Sequence, residues 1–361
     1  MSKYLVTLTP TGKYFFGGDM RFSINGEKEE FSSYIIESLK MPQQTSLLGM
    51  MRFLLLSNST LFNIDENKIT GETEDVKNLI GARSFTVNAD GMPNTFGKIT
   101  SLGPCFIHNK ENGARYFRAA ADSHFENIDW SKATTATING KVVTMPLLTI
   151  KDKEGKVEPY TSKYYTESYF SAPFSQDCEP IKEDELFIED RRIGIDKDYE
   201  GKKKTNALYK QISYRLKDGF CFAFEVETDE VLTEYNSQLV SLGADSSTFI
   251  FEATEVTPQK MQQEGTTVVL LSDAYIPQEA EYKFSINKMR TFRFLETVNT
   301  NNASYYRING KTTATTSERY ELYEAGSVFY FDNETAKDEF CKKLESREDF
   351  NQIGYNKYYV K

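Results

Sequence analysis

The stretch YKQISYRLKDGFCFAFEV, residues 209–226, decides the fold because it has the pattern of a β-hairpin. Bulky apolar residues alternate with polar ones over 212–216 and with small or charged ones over 220–226. The tripeptide Lys-Asp-Gly at 217–219 lies between the two runs and is typical of a tight turn. We therefore predict two antiparallel strands in the second half of the chain.

The sequence on the C-terminal side extends this hairpin into a larger unit. The order strand, strand, helix, strand is the second part of a β-α-β-β-α-β module. We predict a helix at 229–242 that ends at Gly243, strands at 247–254, 266–276 and 326–332, and a helix at 334–345.

The N-terminal side resembles the opening of a similar unit. Residues 4–9 alternate as a strand, and residues 45–57 carry an apolar stripe of helical period with Thr45 as the predicted N-cap. Short strands are predicted near 100–107, 114–119 and 141–150. We predict an α+β fold of two ferredoxin-like (RRM-like) modules with long insertions and mostly antiparallel sheets. The N-terminal module, with an irregular insertion, covers 1–180, and the C-terminal module covers 181–361.

The composition favours a sheet-rich protein of the cytoplasm. Aromatic residues make up 14% of the 361 residues, and Phe and Tyr fit the half-buried surface of a sheet. The longest apolar run, 47–56, contains Arg52 and is too short to span a bilayer. The first residues, MSKYLVTLTP, lack the hydrophobic region of a signal peptide. We expect no membrane partner and a cytoplasmic location.

The rare residues argue against several classes of enzyme. There are two histidines, His108 and His124, and four cysteines that lie far apart in the sequence. This set lacks the spacing of a zinc site, and we expect neither a metal nor a cofactor. The segment 91–99 approaches a phosphate-binding loop, but its spacing is one residue too long and Ile99 replaces the hydroxyl residue.

The charges are unevenly distributed along an acidic chain. The net charge is −10, which for the chain as a whole argues against nonspecific nucleic-acid binding. Residues 176–190 hold seven acidic residues against one lysine, whereas 191–220 hold nine basic residues against four acidic ones. Residues 281–320 hold seven basic residues against three acidic ones, and Lys288, Arg290, Arg293, Arg307 and Lys311 are among them. This segregation predicts either a cationic groove or an ordinary solvated face, and for 281–320 it leaves open whether the segment lines the groove or faces another subunit.

A glycine-rich loop is the first candidate for a nucleic-acid contact. Gly17 and Gly18 allow the backbone to approach a phosphate or a base, and Lys13 and Arg21 flank them with positive charge. The aromatic residues at 14–16 either stack on unpaired bases or close the hydrophobic core.

The start of the predicted helix at 45–57 is the second candidate. The hydroxyls of Thr45 and Ser46 and the free N–H groups there form an anion site, and Arg52 shares a face with Thr45 two turns along. Gly49 between them leaves room for a sugar-phosphate chain. The alternative is a capped, buried helix with an arginine that extends to solvent.

A basic segment in the second half is the third candidate. Arg191, Arg192 and Gly194 precede a lysine-rich loop at 202–204, and arginine binds phosphate with two parallel hydrogen bonds. A solvated loop tip is the alternative for the lysines.

Five blocks, in the order in which they occur, resemble the RAMP superfamily of CRISPR effector subunits. They are PTGKYFFGGDMRF at 10–22, PQQTSLLGMMR at 42–52, RIGID at 192–196, NALY at 206–209 and AGSVFYF at 325–331. Within that superfamily the chain is similar to the type III-B Cmr-module subunits that bind the 5′ handle (tag) of the guide crRNA. The glycine-rich loop often found near the C-terminus of RAMP proteins is reduced here to one glycine, Gly354.

The resemblance implies a non-catalytic RNA-binding scaffold at one end of a ribonucleoprotein. Its implied partners are the 5′ handle of the crRNA, a large polymerase/cyclase-like signalling subunit and backbone RAMP subunits, with target RNA contacted indirectly. The RNA-binding residues that it implies are Lys13, Gly17, Gly18, Arg21, Thr45, Ser46, Gly49, Arg52, Arg191, Arg192, Gly194, Lys204 and Tyr209.

Three alternatives remain open at this point. Some RAMP relatives cut repeat RNA without a metal, and such an endonuclease would need His108, His124, a tyrosine or a lysine as its acid or base. The equivalent handle-binding subunit of a type III-A complex has the same role on a different assembly. A protein-interaction subunit without RNA contact is the third.

Overall fold

The structure is a computed structural model, and it describes most of the chain. The described residues are 1–18, 20–24, 31–82, 84–87, 94–138, 141–151, 154–161, 168–175, 177–197, 203–257, 264–276, 280–297, 315–316 and 319–361.

Strands dominate these residues, and helices are few. The first strands are β1 Ser2–Pro10, β2 Met20–Ile24, β3 Phe31–Glu37, β4 Phe62–Asn63, β5 Lys68–Ile69, β6 Ile99–Leu102, β7 Phe106–Asn109, β8 Arg115–Arg118, β9 Asn127–Ile138, β10 Lys141–Lys151, β11 Val157–Pro159, β12 Tyr169–Ser171 and β13 Ile181–Lys182. The later strands are β14 Phe187–Lys197, β15 Lys203–Leu216, β16 Phe220–Thr228, β17 Gln238–Ser241, β18 Thr248–Glu255, β19 Thr267–Leu270, β20 Phe284–Ile286, β21 Met289–Phe292, β22 Leu295–Thr297, β23 Thr315–Thr316, β24 Tyr320–Tyr323, β25 Val328–Tyr330 and β26 Tyr358–Val360. The helices are α1 Gln44–Ser57, α2 Thr73–Ile80, α3 Glu183–Leu186, α4 Glu334–Glu345 and α5 Glu348–Gln352, and single 3-10 turns lie at Ala121–His124 and Leu232–Tyr235.

The main sheet is built around β1. Its strand order is β13-β12-β8-β7-β16-β1-β18-β17, and β6 also pairs with β16. The two neighbours of β1, which are β16 and β18, both run antiparallel to it. The side chains of Tyr4, Val6 and Leu8 alternate into the core and are almost completely buried. The fold is therefore α+β with mostly antiparallel sheets, as predicted.

The connections within this sheet differ from the predicted order of strand, strand, helix and strand. The chain passes from β1 through α1 to β6 and β7, and from β16 through the turn Leu232–Tyr235 to β18. Strands from both sides of residue 180 share the sheet, since β1 lies between β16 and β18. The assignment of two ferredoxin-like modules and the boundary at 180 stay predictions.

The predicted helix at 229–242 is wrong. A single turn at Leu232–Tyr235 is followed by the edge strand β17, because Ser237 has a positive φ of 66°, which is not helical. The Asn236 side chain also bonds both backbone groups of Ala253 and ties this segment to β18. The apolar spacing thus belongs to a turn and a short strand, and Leu239 is 67% exposed at the sheet edge.

Two smaller four-stranded sheets are separate from the main sheet. One has the order β14-β15-β3-β2, in which β15 and β3 are parallel. The other has the order β20-β25-β19-β26, and the buried residues Phe340 and Leu344 of α4 pack in the same core cluster as its strands. No helix among the described residues combines the length and apolar character needed to cross a bilayer.

Candidate nucleic-acid interface

A cavity of about 650 Å³ lies beside α1. Its walls come from α1, from α2, from the small hairpin of β4 and β5, and from the segment 292–294. Four predicted RNA-binding residues line it together: Thr45, Ser46, Gly49 and Arg52. The structure therefore brings together every predicted residue of α1.

The helix that carries these residues begins one position earlier than predicted. Gln43 is its N-cap, and the Gln43 carbonyl accepts hydrogen bonds from the N–H groups of Ser46 and Leu47 at 3.0 Å each. Thr45 as the N-cap is therefore wrong, because Gln44 already has helical geometry. The Gln43 side chain makes no cap bond, since its oxygen accepts from Arg290 at 2.8 Å instead.

Gly49 leaves open space in the wall of the cavity. It lies on the exposed side of α1, and a Cβ added at this position would meet nothing within 4 Å. Glycine in a helix interior costs about 1 kcal/mol relative to alanine. The missing side chain therefore widens the cavity, whereas the helical backbone at this position does not require glycine.

Arg52 is buried and fixed, with 8% of its surface exposed. Its Nη2 donates to the carbonyl of Thr95 at 2.6 Å, and its guanidinium lies 5.7 Å from the centre of the Phe96 ring. The prediction placed Arg52 on the face of Thr45, and both residues do line the cavity. Arg52 also holds the segment around Thr95 against the helix.

Among the residues that the structure describes, the charged side chains that line this cavity are all basic. They are Arg52, Lys77 and Arg293. Lys77 donates to Glu74 at 2.7 Å, and Arg293 is exposed. In a protein with a net charge of −10, such a lining marks a place that favours an anion.

Aromatic rings also line this cavity. Phe53 is 54% exposed and meets Phe62 edge-to-face, with ring centres 5.8 Å apart. Phe292 and Phe294 also line the cavity, and their ring centres are 4.8 Å apart. The sequence did not decide whether Arg293 lines a groove or contacts another subunit. It also did not single out Lys77 or Phe53. An apolar residue on the polar face of α1 is the signal that could have found Phe53.

The glycine-rich loop lies elsewhere, beside the end of β3. Gly17 has a φ of +76°, and its carbonyl accepts from the N–H of Leu39 at 2.7 Å. A Cβ at Gly18 would collide with the carbonyl oxygen of Glu37. These glycines therefore let the loop lie against the strand that leads to α1, and their contact with RNA stays a prediction.

The aromatic residues of this loop close the core. Tyr14 and Phe15 are 1% and 7% exposed, and Tyr14 stacks on Phe16 with ring centres 4.6 Å apart. Stacking of Tyr14 or Phe15 on a base is thereby excluded in this conformation. Lys13 is half-buried, while the side chain of Arg21 lies outside the described residues.

The third candidate segment forms the edge of a sheet. Arg191 and Arg192 lie on β14 and are exposed, and Arg191 donates two hydrogen bonds to Glu189 at 2.6 and 2.8 Å. Gly194 lies opposite Tyr209, and a Cβ there would collide with the tyrosine ring. The side chain of Lys204 lies outside the described residues, as do 198–202.

The predicted residues thus form two groups. The first lines the α1 cavity, and the second, with Gly17, Gly18, Arg191, Arg192, Gly194 and Tyr209, lies on or beside the sheet of β14, β15, β3 and β2. Segment 37–44 connects β3 to α1 and lines a polar cavity of about 340 Å³.

Several residues that line this polar cavity form ion pairs with one another. Glu183 accepts hydrogen bonds from Lys40 and Arg118, and Arg290 pairs with Asp273. Burial raises the pKa of Glu183, but the charges of Arg118 and Lys40 outweigh it and hold this pKa below its ordinary value. Because both signs occur together, this cavity lacks the bias toward anions seen beside α1.

The two histidines are half-buried, and burial lowers the pKa of each. The nearby charges of Arg115 and Lys110 lower the pKa of His108 further. Among the described residues no cluster of three or more His, Cys, Asp or Glu side chains forms a metal site.

Comparisons with known proteins place these observations in a family. The model of the family described as CRISPR-associated protein (Cas_Cmr3) matches residues 6–360. No curated protein matches the chain.

Solved structures match the chain at low identity. One, titled "Cryo-EM structure of the Type III-B Cmr-beta bound to cognate target RNA", contains a chain of 16% identity with a TM-score of 0.48, covering 99% of this chain and 96% of that one. A second, of the same complex with cognate target RNA and AMPPnP, has 16% identity and a TM-score of 0.47, covering 99% and 95%. A third, of the apo state, has 13% identity and a TM-score of 0.27, covering 71% and 97%. Since the family model spans nearly the whole sequence, the chain belongs to the Cas_Cmr3 family of CRISPR-associated proteins.

Proposed function

We propose that this protein is a non-catalytic RNA-binding subunit of a type III-B CRISPR complex, and that it holds the 5′ handle of the guide crRNA. The observation that carries the proposal is the α1 cavity, which Thr45, Ser46, Gly49 and Arg52 line together and whose charged side chains, as far as the structure describes them, are basic. Membership of the Cas_Cmr3 family supports a CRISPR role. The complexes named in the similar structures, which contain target RNA, are consistent with it.

The arrangement explains how a single strand would be held. Phosphates contribute most of the affinity for a nucleic acid, and single-stranded RNA is recognised by stacking and by contacts to its base edges. Arg293 and Lys77 supply charge at the cavity, while Arg191 and Arg192 supply it on the sheet. Segment 37–44 connects the α1 cavity with the sheet that carries Arg191 and Arg192. An RNA strand that follows this segment would contact both groups of predicted residues.

We further propose the protein partners of this subunit. They are a large polymerase/cyclase-like signalling subunit and backbone RAMP subunits, with target RNA reached through the guide. In such an assembly the handle is held next to the signalling subunit, and the rest of the guide stays available for pairing. The proposed location is the cytoplasm.

Guide occupancy of the purified complex tests the proposal. We would replace Arg293 by glutamate, alone and with Arg192→Glu, and measure the RNA recovered per complex. Lys217→Glu is the matched control, because Lys217 is exposed in the turn between β15 and β16. The expected result is a loss of guide in the Arg293→Glu complexes and normal occupancy in the control. Unchanged occupancy in all variants would contradict the proposal.

Ultraviolet crosslinking of the intact complex, with mapping of the crosslinked peptides, is the second measurement. Crosslinks between guide RNA and residues 45–53 support the proposal, and crosslinks restricted to other subunits refute it. The subunits that co-purify also distinguish a type III-B complex from a type III-A complex.

The nuclease alternative has its own test. The isolated chain would be incubated with repeat RNA in the presence of EDTA, as wild type and as His108→Ala and His124→Ala variants. Cleavage that is lost in one variant would establish a metal-independent endonuclease, whereas intact RNA fits the scaffold that we propose.

A further inference from the structure

We propose that a separate cavity beside α5 docks a segment of a neighbouring protein subunit in which an acidic residue is flanked by basic ones. The acidic residue pairs with Lys357 inside the cavity, and the basic residues pair with Glu345 and Glu348 at its rim. This inference rests on the proposed place of the chain in a complex, and it adds a protein contact on a surface away from α1.

This α5 cavity has a volume of about 600 Å³. Its walls come from the end of α4, from α5, from the residues that lead into β26 and from the segment 101–104. Glu345, Glu348 and Gln352 are exposed, so one side of the cavity opens to solvent. It shares no lining residue with the cavity beside α1, so a partner docked here leaves the proposed RNA site free.

Lys357 is a charged residue in this cavity whose ammonium has no counterion. The side chain is half-buried, and among the described residues it takes part in no ion pair and no hydrogen bond. Burial lowers its pKa, Lys3 adds to this effect, and the opposing charges of Glu345 and Glu227 do not offset it. The carboxylates of this chain therefore do not balance the ammonium, and one supplied by a partner does.

The backbone holds Lys357 in place. Its N–H donates to the hydroxyl of Ser272 at 3.0 Å, and its carbonyl accepts from the N–H of Leu271 at 2.7 Å. The preceding residue, Asn356, is fully buried, and its side-chain oxygen accepts from the N–H of Tyr275 at 2.9 Å. A contact made to such a fixed backbone loses less conformational entropy on binding.

The rim decides the class of partner. Glu345 and Glu348 line the cavity, and neither pairs with a lysine or an arginine of the described residues. RNA carries a negative charge at every phosphate, so these two carboxylates repel it although Lys357 attracts one phosphate. A small anion leaves both carboxylates unpaired. A polypeptide carries charges of both signs within a few residues, and it therefore fits the cavity better than either.

Zero-length crosslinking of the purified complex tests this contact, because a carbodiimide joins a lysine amine directly to a carboxylate that it touches. Peptide mapping should find Lys357 joined to an aspartate or glutamate of another subunit, in a segment that also contains lysine or arginine. Lys357→Arg keeps the charge but cannot form the amide, so it should abolish this crosslink while others to the same subunit persist. Lys342→Arg is the matched control, because Lys342 is exposed on α4 and does not line the cavity.

Replacing the charges measures what the contact contributes. Lys357→Met should make the crosslinked subunit dissociate about tenfold faster, because the carboxylate of the partner is left unpaired. Glu348→Gln should also speed dissociation, whereas with RNA as the occupant it would tighten binding. Lys342→Met should behave as wild type. Lys357→Glu, combined with a lysine at the mapped carboxylate of the partner, should restore retention, which a misfolded variant would not.

Three outcomes would overturn the inference, and they differ in what else they overturn. If Lys357 joins only to its own chain, or to nothing, in a complex that holds its guide, the docking site is wrong and the RNA-holding function stands. If ultraviolet crosslinks join Lys357 to the guide, the occupant is RNA and the inference is wrong. If the chain purifies with neither subunits nor guide, both proposals are wrong.

Discussion

The side-chain amide of Gln44 donates a hydrogen bond to the carbonyl of Ile353 at 2.7 Å, although 309 positions separate the two residues. The same Nε2 donates to the carbonyl of Gly103 at 2.9 Å, and the Gln44 side-chain oxygen accepts from the N–H of Cys105 at 3.3 Å. One buried side chain therefore joins the start of α1 to the loop at 103–105, between β6 and β7, and to the loop at 353. The position of the proposed RNA site depends on this junction.

Replacing Gln44 by leucine should lower the free energy of unfolding by about 2–4 kcal/mol. The reason is that three buried backbone groups lose their partner, and an unsatisfied buried polar group costs about 1–3 kcal/mol. Denaturant unfolding checks the prediction, with the exposed Gln352→Leu as the control. Equal stability of the two variants would show that water replaces the lost bonds.

Gly354→Ala should be clearly more destabilising than Gly113→Ala. Both glycines have positive φ, of 91° and 75°, so both substitutions pay about 1–2 kcal/mol for the left-handed backbone. Only at Gly354 would the new Cβ also collide with the carbonyl oxygen of Gly103 and with the amide of Gln44, whereas Gly113 has no neighbour within 4 Å. We expect the free energy of unfolding to fall by about 1–3 kcal/mol more at Gly354 than at Gly113. Denaturant unfolding curves of the two variants measure this difference.

Glu183 should make the stability depend on pH in the acidic range. Its pKa in the folded protein lies below the ordinary value of 4.5, because Arg118 and Lys40 outweigh the effect of burial. The folded state therefore binds a proton less readily than the unfolded state, so the stabilisation is complete above pH 4.5 and is lost as the pH falls through the lower value.

Glu183→Gln tests this linkage. The variant should be less stable than wild type by about 2 kcal/mol at pH 7, and the difference should shrink toward pH 3. Unfolding curves at several pH values give the measurement, and Glu185→Gln, at an exposed neighbouring position, should show no such change. If the stabilities of the wild type and of Glu183→Gln differ by the same amount at all pH values, the pKa of Glu183 is not lowered in the folded protein.

Salt should reveal the phosphate contact of Arg293. Each phosphate neutralised on single-stranded RNA contributes about −0.7 to the slope of log K against log salt. We expect Arg293→Ala to weaken binding of single-stranded RNA and to reduce the magnitude of this slope by about 0.7. Titrations at several salt concentrations check it, with Lys217→Ala as the control; an unchanged slope would mean that Arg293 touches no phosphate.

The sequence was sufficient where a pattern was strictly local. The strand at 4–9, the hairpin around 217–219 and the helix at 45–57 appear as β1, as β15 with β16, and as α1, within three residues at most ends. Alternation and helical stripes determine these elements because burial of one face stabilises them. The β15 strand is longer than the pattern because it also pairs with β14 and β3.

Long-range packing explains what the sequence could not provide. The segment 229–242 has helical spacing, but the pairing of β17 with β18 decides its structure. The convergence of Arg293 with α1 depends on a segment that is far away in sequence, and spacing carries no information about such contacts. The burial of Tyr14 likewise follows from its neighbours Phe222 and Phe249 rather than from the loop itself.

The central place of β1 has a consequence for protein synthesis. Its two partners, β16 and β18, leave the ribosome long after it does, so the apolar face of Tyr4, Val6 and Leu8 stays uncovered through most of translation. Nascent chains with uncovered strands are the substrates of chaperones and proteases. Prematurely terminated polypeptides that stop ahead of Phe220 would thus be removed, and cells would accumulate only chains long enough to finish the sheet.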